Sequence, residues 1–131
     1  MSDQKNQDLR IAVIDDSEFS RKSVIEILEG EGYNVVGQAS SAEEGMSLGA
    51  TTGANIFLID VIMPERSGLE MAKVISEKTM GASIIMMSSL NMESIVIESI
   101  SSGALDFLPK PFSPQDLLKA IEKIETERSI N

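Results

Sequence analysis

Short apolar runs alternate along the chain with segments in which apolar residues recur at helical spacing. The runs have the length and composition of buried strands, and polar or glycine residues end each of them. The periodic segments have the length of ordinary helices. The predicted strands span 9–14, 33–39, 55–59, 82–87 and 106–108. The predicted helices, with their caps, span 17–29, 41–49, 68–78, 91–102 and 113–127.

Several helix starts carry their own signals. Ser17 and Ser41 are good N-cap residues, and Glu44 completes the capping-box spacing with Ser41. Ser113 followed by Pro114 is a cap and a first helical residue. The apolar side chains assigned to the inner face of the first helix are Phe19, Val24, Ile25 and Leu28.

The fourth helix has a wider apolar surface than burial requires. Its apolar residues cover an arc of roughly 200°, whereas a surface helix buries a stripe of about 100° or a little more. We therefore expect Ile95 or Ile97, at the margins of the arc, to be exposed. The residues of the arc are Met92, Ile95, Val96, Ile97 and Ile100.

Five strand–helix repeats predict an α/β fold, a doubly wound parallel sheet with helices on both faces. Strands 1, 3 and 4 are almost wholly apolar, as is typical of parallel strands covered on both sides. We expect one domain over residues 1–131 with its core at about 8–127, and loosely ordered ends at 1–8 and 128–131.

The composition limits the metal ligands and the classes of partner that the chain can have. The chain has 131 residues and contains no Cys and no His, so it offers neither thiolate nor imidazole ligands. The net charge of −10 argues against nucleic acid as a partner. There is no signal peptide and no apolar run long enough for a membrane span, so we expect a cytoplasmic protein without a membrane partner.

Polar side chains follow four of the predicted strands. Asp15 and Asp16 follow strand 1, Asp60 follows strand 3, Ser88 follows strand 4 and Lys110 comes shortly after strand 5. The carboxyl ends of parallel strands share one edge of a sheet, where ligands bind. Three carboxylates, a hydroxyl and a lysine are therefore expected in one crevice.

Clustered carboxylates repel one another unless a cation balances them, and an oxygen-only ligand set favours Mg²⁺. A carboxylate beside a metal ion, a lysine and a hydroxyl can accept a phosphoryl group as an aspartyl phosphate. Taken singly, each residue is also an ordinary turn, cap or loop residue. Their convergence on one edge favours the functional interpretation.

The chain resembles the receiver domain of bacterial two-component response regulators over roughly residues 8–127. The similar segments are Ile-Ala-Val-Ile-Asp-Asp-Ser at 11–17, Leu-Ile-Asp-Val-Ile-Met-Pro at 58–64 with Gly68, 84–88, and Gly-Ala-Leu-Asp-Phe-Leu-Pro-Lys-Pro-Phe at 103–112. The resemblance implies a (βα)5 flavodoxin-like fold with strand order 2-1-3-4-5. That order is known for this family and does not follow from the pattern alone.

The resemblance also implies roles. Asp60 would be the phosphoacceptor, and Mg²⁺ would be held directly by Asp16 and Asp60, through water by Asp15, and by the backbone carbonyl of Ile62. Lys110 would pair with the phosphoryl group.

Ser88 would be the switch hydroxyl and Phe107 the switch aromatic. The donor would be a histidine kinase or phosphotransfer protein. The output would pass to a protein partner or a second copy through the face of helix 4, strand 5 and helix 5. Such a chain is no enzyme beyond its own phosphorylation and dephosphorylation.

The chain departs from the family pattern at four positions. Ile62 and Leu90 are apolar where many members carry polar residues, Ser89 replaces the usual Ala, and Phe107 lacks the hydroxyl of the Tyr variant. The run at 88–90 is similar to receivers attached to chemotaxis methylesterases.

Three alternatives compete with this hypothesis. A Mg²⁺-dependent aspartyl-phosphate phosphatase of the haloacid dehalogenase type requires Asp-x-Asp after strand 1, and here Asp15-Asp16-Ser17 follows it. A flavin or nucleotide binder lacks a glycine-rich phosphate loop. A receiver-like scaffold that is never phosphorylated stays open on the sequence.

Overall fold

The computed structural model describes residues 8–130, in which strands and helices alternate five times. The strands β1 to β5 are Arg10–Ile14, Asn34–Ala39, Ile56–Asp60, Ser83–Ser88 and Asp106–Pro109. The helices α1 to α5 are Glu18–Gly30, Ala42–Thr52, Gly68–Lys78, Glu93–Ser101 and Pro114–Ile130. The predicted alternation is confirmed, with shifts of a few residues at some ends.

The five strands form one parallel sheet in the order β2-β1-β3-β4-β5. Successive residues of the central strand β3 face opposite sides: Phe57 and Ile59 pack into one core cluster, Ile56 and Leu58 into the other. Helices α2, α3 and α4 contribute to the first cluster, and α1 and α5 to the second. The predicted doubly wound sheet and its strand order are confirmed.

Serine caps begin four of the helices; at α3, the Ser67 hydroxyl accepts the Leu69 N–H at 3.1 Å. The hydroxyls of Ser17 and Ser41 accept from backbone N–H groups of α1 and α2, the latter at 3.3 Å from Glu44 N. At α5, Ser113 and Asp116 cap each other, because each side chain accepts the other's backbone N–H at 3.1 Å. These bonds satisfy N–H groups that have no partner within the helix.

The assignment of Phe19 to the inner face of α1 is wrong, because its side chain is 86% exposed. Val24 and Leu28, four residues apart, define the buried stripe. At about 100° per residue, Phe19 lies roughly 140° around the helix from Val24. Ile25 is half-buried at the edge of the stripe.

Helix α4 is only partly covered. Ile97 is 56% exposed, as expected for the margin of its apolar arc. Ile95, the other candidate, is half-buried and packs against the core cluster beneath α4. Ile100 and Met92 are also exposed, so the helix presents apolar residues along its outer side.

The expectation of a loosely ordered end from residue 128 is wrong. Helix α5 continues to Ile130, and the Arg128 guanidinium donates to the Asn55 carbonyl and the Ser83 hydroxyl, each at 3.0 Å. These bonds fasten the end of α5 to the amino-terminal edge of the sheet. The same expectation for residues 1–7 and 131 lies outside the described residues.

Candidate functional site

The polar residues predicted at the strand ends meet at the carboxyl edge of the sheet. Asp15 directly follows β1, Asp60 ends β3, Ser88 ends β4 and Lys110 directly follows β5. Backbone bonds extend the sheet pairing past these ends, including Lys110 N to the Ser88 carbonyl at 2.8 Å. The side chains are therefore carried by rigid backbone.

The ammonium of Lys110 joins two of the carboxylates. Its Nζ lies 2.7 Å from Asp15 Oδ2 and 2.7 Å from Asp60 Oδ2. Asp15 is fully buried and Asp60 nearly so, which places the ion pairs in a poorly solvated crevice. Charge-assisted hydrogen bonds are strong in such surroundings.

Burial and hydrogen bonding act in opposite directions on the pKa values of Asp60 and Lys110. Burial raises the pKa of Asp60, and the nearby Asp15 charge adds to the rise, while hydrogen bonds from Lys110 and the Ile62 N–H oppose it. Burial alone lowers the pKa of Lys110, but its bonds to Asp15 and Asp60 together raise it above the usual value. Lys110 is therefore charged at neutral pH.

The three carboxylates can hold a cation together. Asp15, Asp16 and Asp60 each offer an oxygen, and these oxygens lie within 4.8 Å of one another. Asp16 is exposed, whereas the other two are buried. An oxygen-only set of this charge fits a hard divalent ion such as Mg²⁺.

The hydroxyl of Ser88 lies at the end of β4 in a buried position. Its Oγ accepts the N–H of Leu90 at 2.9 Å, which leaves the hydroxyl proton available for another acceptor. Phe107, one strand away on β5, is half-buried and packs against the same core cluster as Ile95.

Two residues of α1 contact the site and were not predicted. Ser20 Oγ accepts from Lys110 Nζ at 3.0 Å, and Arg21 Nη1 donates to the Asp15 carbonyl at 2.6 Å. The available signal was the four-residue spacing of Ser20 from Val24, which places Ser20 on the buried stripe of α1 and near the sheet edge.

The fold and the acidic edge define a receiver of two-component signalling. The chain belongs to the response regulator receiver domain family, whose model matches residues 11–122. It is 33% identical over 115 residues to the chemotaxis protein CheY of Thermotoga maritima, covering 88% of this chain and 96% of that protein.

Solved structures agree with this. CheY in the CheX-CheY-BeF3-Mg²⁺ complex of Borrelia burgdorferi superposes with a TM-score of 0.84 at 27% identity, covering 88% of each chain. The response regulator domain of Thermotoga maritima CheB gives 0.78 at 31% identity, covering 90% of this chain and 94% of that one.

Family membership shows the class of protein to which the chain belongs. Receiver domains are signalling switches, and the partners of such domains are kinases and other signalling proteins. Within residues 8–130, no helix has both the length and the apolar character that crossing a membrane requires.

Proposed function

We propose that residues 1–131 form one receiver domain that takes a phosphoryl group onto Asp60 in the presence of Mg²⁺. The donor is a histidine kinase or a phosphotransfer protein, and the output is a change of shape read by another protein or by a second copy. The observation that carries the proposal is the Lys110 ammonium, 2.7 Å from both Asp15 and Asp60 beside the acidic cluster.

The transfer needs one nucleophilic oxygen of Asp60. A carboxylate oxygen forms the new bond to phosphorus, while the bond from phosphorus to the donor's imidazole nitrogen breaks and its electron pair stays with the donor. Lys110 is held at Asp60 and can follow the charge onto the phosphoryl oxygens. Its ammonium thus stabilises the group being transferred.

The acidic residues have separate places around a bound cation. Both oxygens of Asp15 already accept hydrogen bonds, one from Lys110 and one from the Ser17 N–H at 2.9 Å. Asp16 is exposed, so it would hold Mg²⁺ directly, and Asp15 would do so through water. Asp60 and the Ile62 carbonyl would complete the direct ligands; both oxygens of Asp60 also accept hydrogen bonds, from Lys110 and the Ile62 N–H, so one of them would be shared with the ion. The ion would offset charge on the transferring oxygens.

The signal would leave through the loop after β4. The Ser88 hydroxyl can donate to a phosphoryl oxygen while it still accepts the Leu90 N–H, so a movement of Ser88 pulls the start of the loop with it. Phe107 would then move into the space that opens behind Ser88. The exposed apolar side chains on and around α4 that can read this change are Leu90, Met92, Ile97, Ile100 and Leu105.

The groups bound in the structure of a similar chain support the proposal. The Borrelia burgdorferi CheY structure contains BeF3, Mg²⁺ and a protein partner, CheX. Beryllofluoride has the tetrahedral shape and negative charge of a phosphoryl group, so it is also a useful probe for the present chain.

The test is phosphoryl incorporation from acetyl phosphate, followed by intact mass spectrometry. We expect one added phosphoryl group with Mg²⁺ and none with a chelator or in Asp60→Asn, since an amide is not a comparable nucleophile. Incorporation that survives both changes would overturn the proposal. Repeated turnover of acetyl phosphate without a stable adduct would favour the alternative of an aspartyl-phosphate phosphatase. No reaction at all would favour a receiver-like scaffold that is never phosphorylated.

Metal binding is tested separately by titration calorimetry with Mg²⁺. We expect Asp16→Ala to weaken Mg²⁺ binding more than Asp15→Ala does, because of these two residues only Asp16 would bind the ion directly. Equal affinity in wild type and Asp16→Ala would count against the assigned ligand set.

A further inference from the structure

The Lys110 ammonium has a third contact that the proposed function does not use. Besides the carboxylates of Asp15 and Asp60, its Nζ contacts Ser20 Oγ at 3.0 Å. An ammonium has three N–H donors, so these three acceptors match its full capacity. Two of them are charged and lie on the sheet edge, and the third is a neutral hydroxyl on α1.

Ser20 is itself held in place by its neighbours. It lies in the first turn of α1, where its N–H donates to the cap hydroxyl of Ser17 at 3.2 Å. The next residue, Arg21, binds the Asp15 carbonyl at 2.6 Å and the Gln38 side chain at 2.7 Å. The first turn of α1 is thus fastened to the turn that carries the acidic residues.

The lysine side chain needs such an anchor because it is long. The backbone of Lys110 is fixed by its bond to the Ser88 carbonyl, but four side-chain torsions separate that backbone from the ammonium. When Asp60 becomes an aspartyl phosphate, its carboxylate charge is replaced by charge on the phosphoryl oxygens, and its attraction for Lys110 changes. The bond to Ser20 does not depend on the charge of Asp60.

We propose that Ser20 is a positioning residue that holds the Lys110 ammonium at Asp60 during phosphoryl transfer. The inference rests on the proposed function. Without the hydroxyl, the half-buried ammonium has one N–H to satisfy with water and a wider range of positions. The transfer step then loses part of its charge stabilisation, whereas binding of the cation at the acidic residues is unaffected.

The experiment compares Ser20→Ala, Ser20→Thr and a control, Ser23→Ala, which removes an exposed hydroxyl one turn further along α1. Initial phosphorylation rates are measured over a range of acetyl phosphate concentrations at saturating Mg²⁺. We expect Ser20→Ala to lower the maximal rate by roughly tenfold, the scale of one lost hydrogen bond to a charged group. Ser20→Thr should restore most of it, and Ser23→Ala should match wild type.

Two further measurements separate positioning from a general effect on folding. Thermal unfolding and the Mg²⁺ affinity of Ser20→Ala should match wild type. A maximal rate equal to that of wild type, or a rate loss accompanied by equal losses in stability and Mg²⁺ affinity, would overturn the role of Ser20. A wild-type chain that takes no phosphoryl group on Asp60 would instead refute the proposed function, so the two failures are distinguishable.

Discussion

Gly68, the first residue of α3, lies directly against the backbone carbonyl of Asp60. A Cβ added to Gly68 would lie 1.9 Å from the Asp60 oxygen, far inside van der Waals contact. The Gly68 N–H also donates to the Val61 carbonyl at 2.8 Å. Because Gly68 has no side chain, α3 can begin beside Asp60, the proposed phosphoacceptor. The Gly68–Val61 hydrogen bond closes the loop between β3 and α3.

Gly68→Ala is expected to lower the free energy of unfolding by about 2 kcal/mol or more, because the facing atoms are backbone and cannot rotate away. It should also slow phosphorylation by displacing Asp60. Gly30→Ala is the matched control, since a Cβ at the end of α1 would meet nothing within 4 Å. Chemical denaturation of both variants tests this, and equal stability of the two would contradict the packing argument.

The lifetime of the phosphorylated state should depend on Ile62 and Leu90. Their N–H groups bind Asp60 Oδ1 and Ser88 Oγ, each at 2.9 Å, and their side chains are 47% and 42% exposed beside the site. Neither side chain can hydrogen-bond the water that must attack phosphorus in line. Ile62→Asn or Leu90→Glu should therefore lose the phosphoryl group several-fold faster than wild type.

Decay is followed by intact mass after the donor is removed. Met80→Asn, at a fully exposed position at the opposite edge of the sheet, serves as control and should decay like wild type. Polar variants that decay no faster would refute this explanation of lifetime.

One of the two aspartates after β1 is buried and the other is exposed. Replacing each by Asn should therefore change the free energy of unfolding differently. Asp15 is fully buried and ion-paired with Lys110, so Asp15→Asn should lower the free energy of unfolding of the metal-free protein by about 1–3 kcal/mol. Asp16 is exposed and repelled by its neighbours, so Asp16→Asn should leave stability unchanged or raise it. Urea denaturation in a chelator measures both, and the reverse order would contradict the assignment.

The output surface is best tested at Ile97 rather than Ile95. Ile97 is exposed, so Ile97→Asp should weaken self-association or partner binding while leaving Asp60 phosphorylation intact. Ile95→Asp would also disturb the core, because Ile95 packs against it. Sedimentation velocity with beryllofluoride and Mg²⁺, and co-purification, measure binding, with Met80→Asp as control. Full binding by Ile97→Asp would place the output surface elsewhere.

Most of the fold was predictable because each central strand is buried on both sides and so appears as an apolar run. The convergence of Asp15, Asp60, Ser88 and Lys110 was predictable for a related reason: parallel strands place their carboxyl ends on one edge. The strand order came from the family resemblance, and the structure confirms it.

Details of side-chain direction were less accessible. Phe19 was misplaced because an apolar residue was assigned inward without regard to its angle from Val24. Ser20 and Arg21 were missed because the spacing of Ser20 from Val24 gives its side of α1 but not its partners, which depend on where the first turn of α1 meets the sheet edge. The coverage of Ile95 likewise depends on packing against neighbouring elements.

The most direct test of the central claim is chemical trapping of the phosphorylated residue. Borohydride reduces an aspartyl phosphate to homoserine, and peptide mapping then locates the modified position. After treatment with acetyl phosphate and Mg²⁺, we expect homoserine at position 60 and its loss when a chelator replaces Mg²⁺. Homoserine at position 15 or 16 instead, or at none of the three, would contradict the central claim.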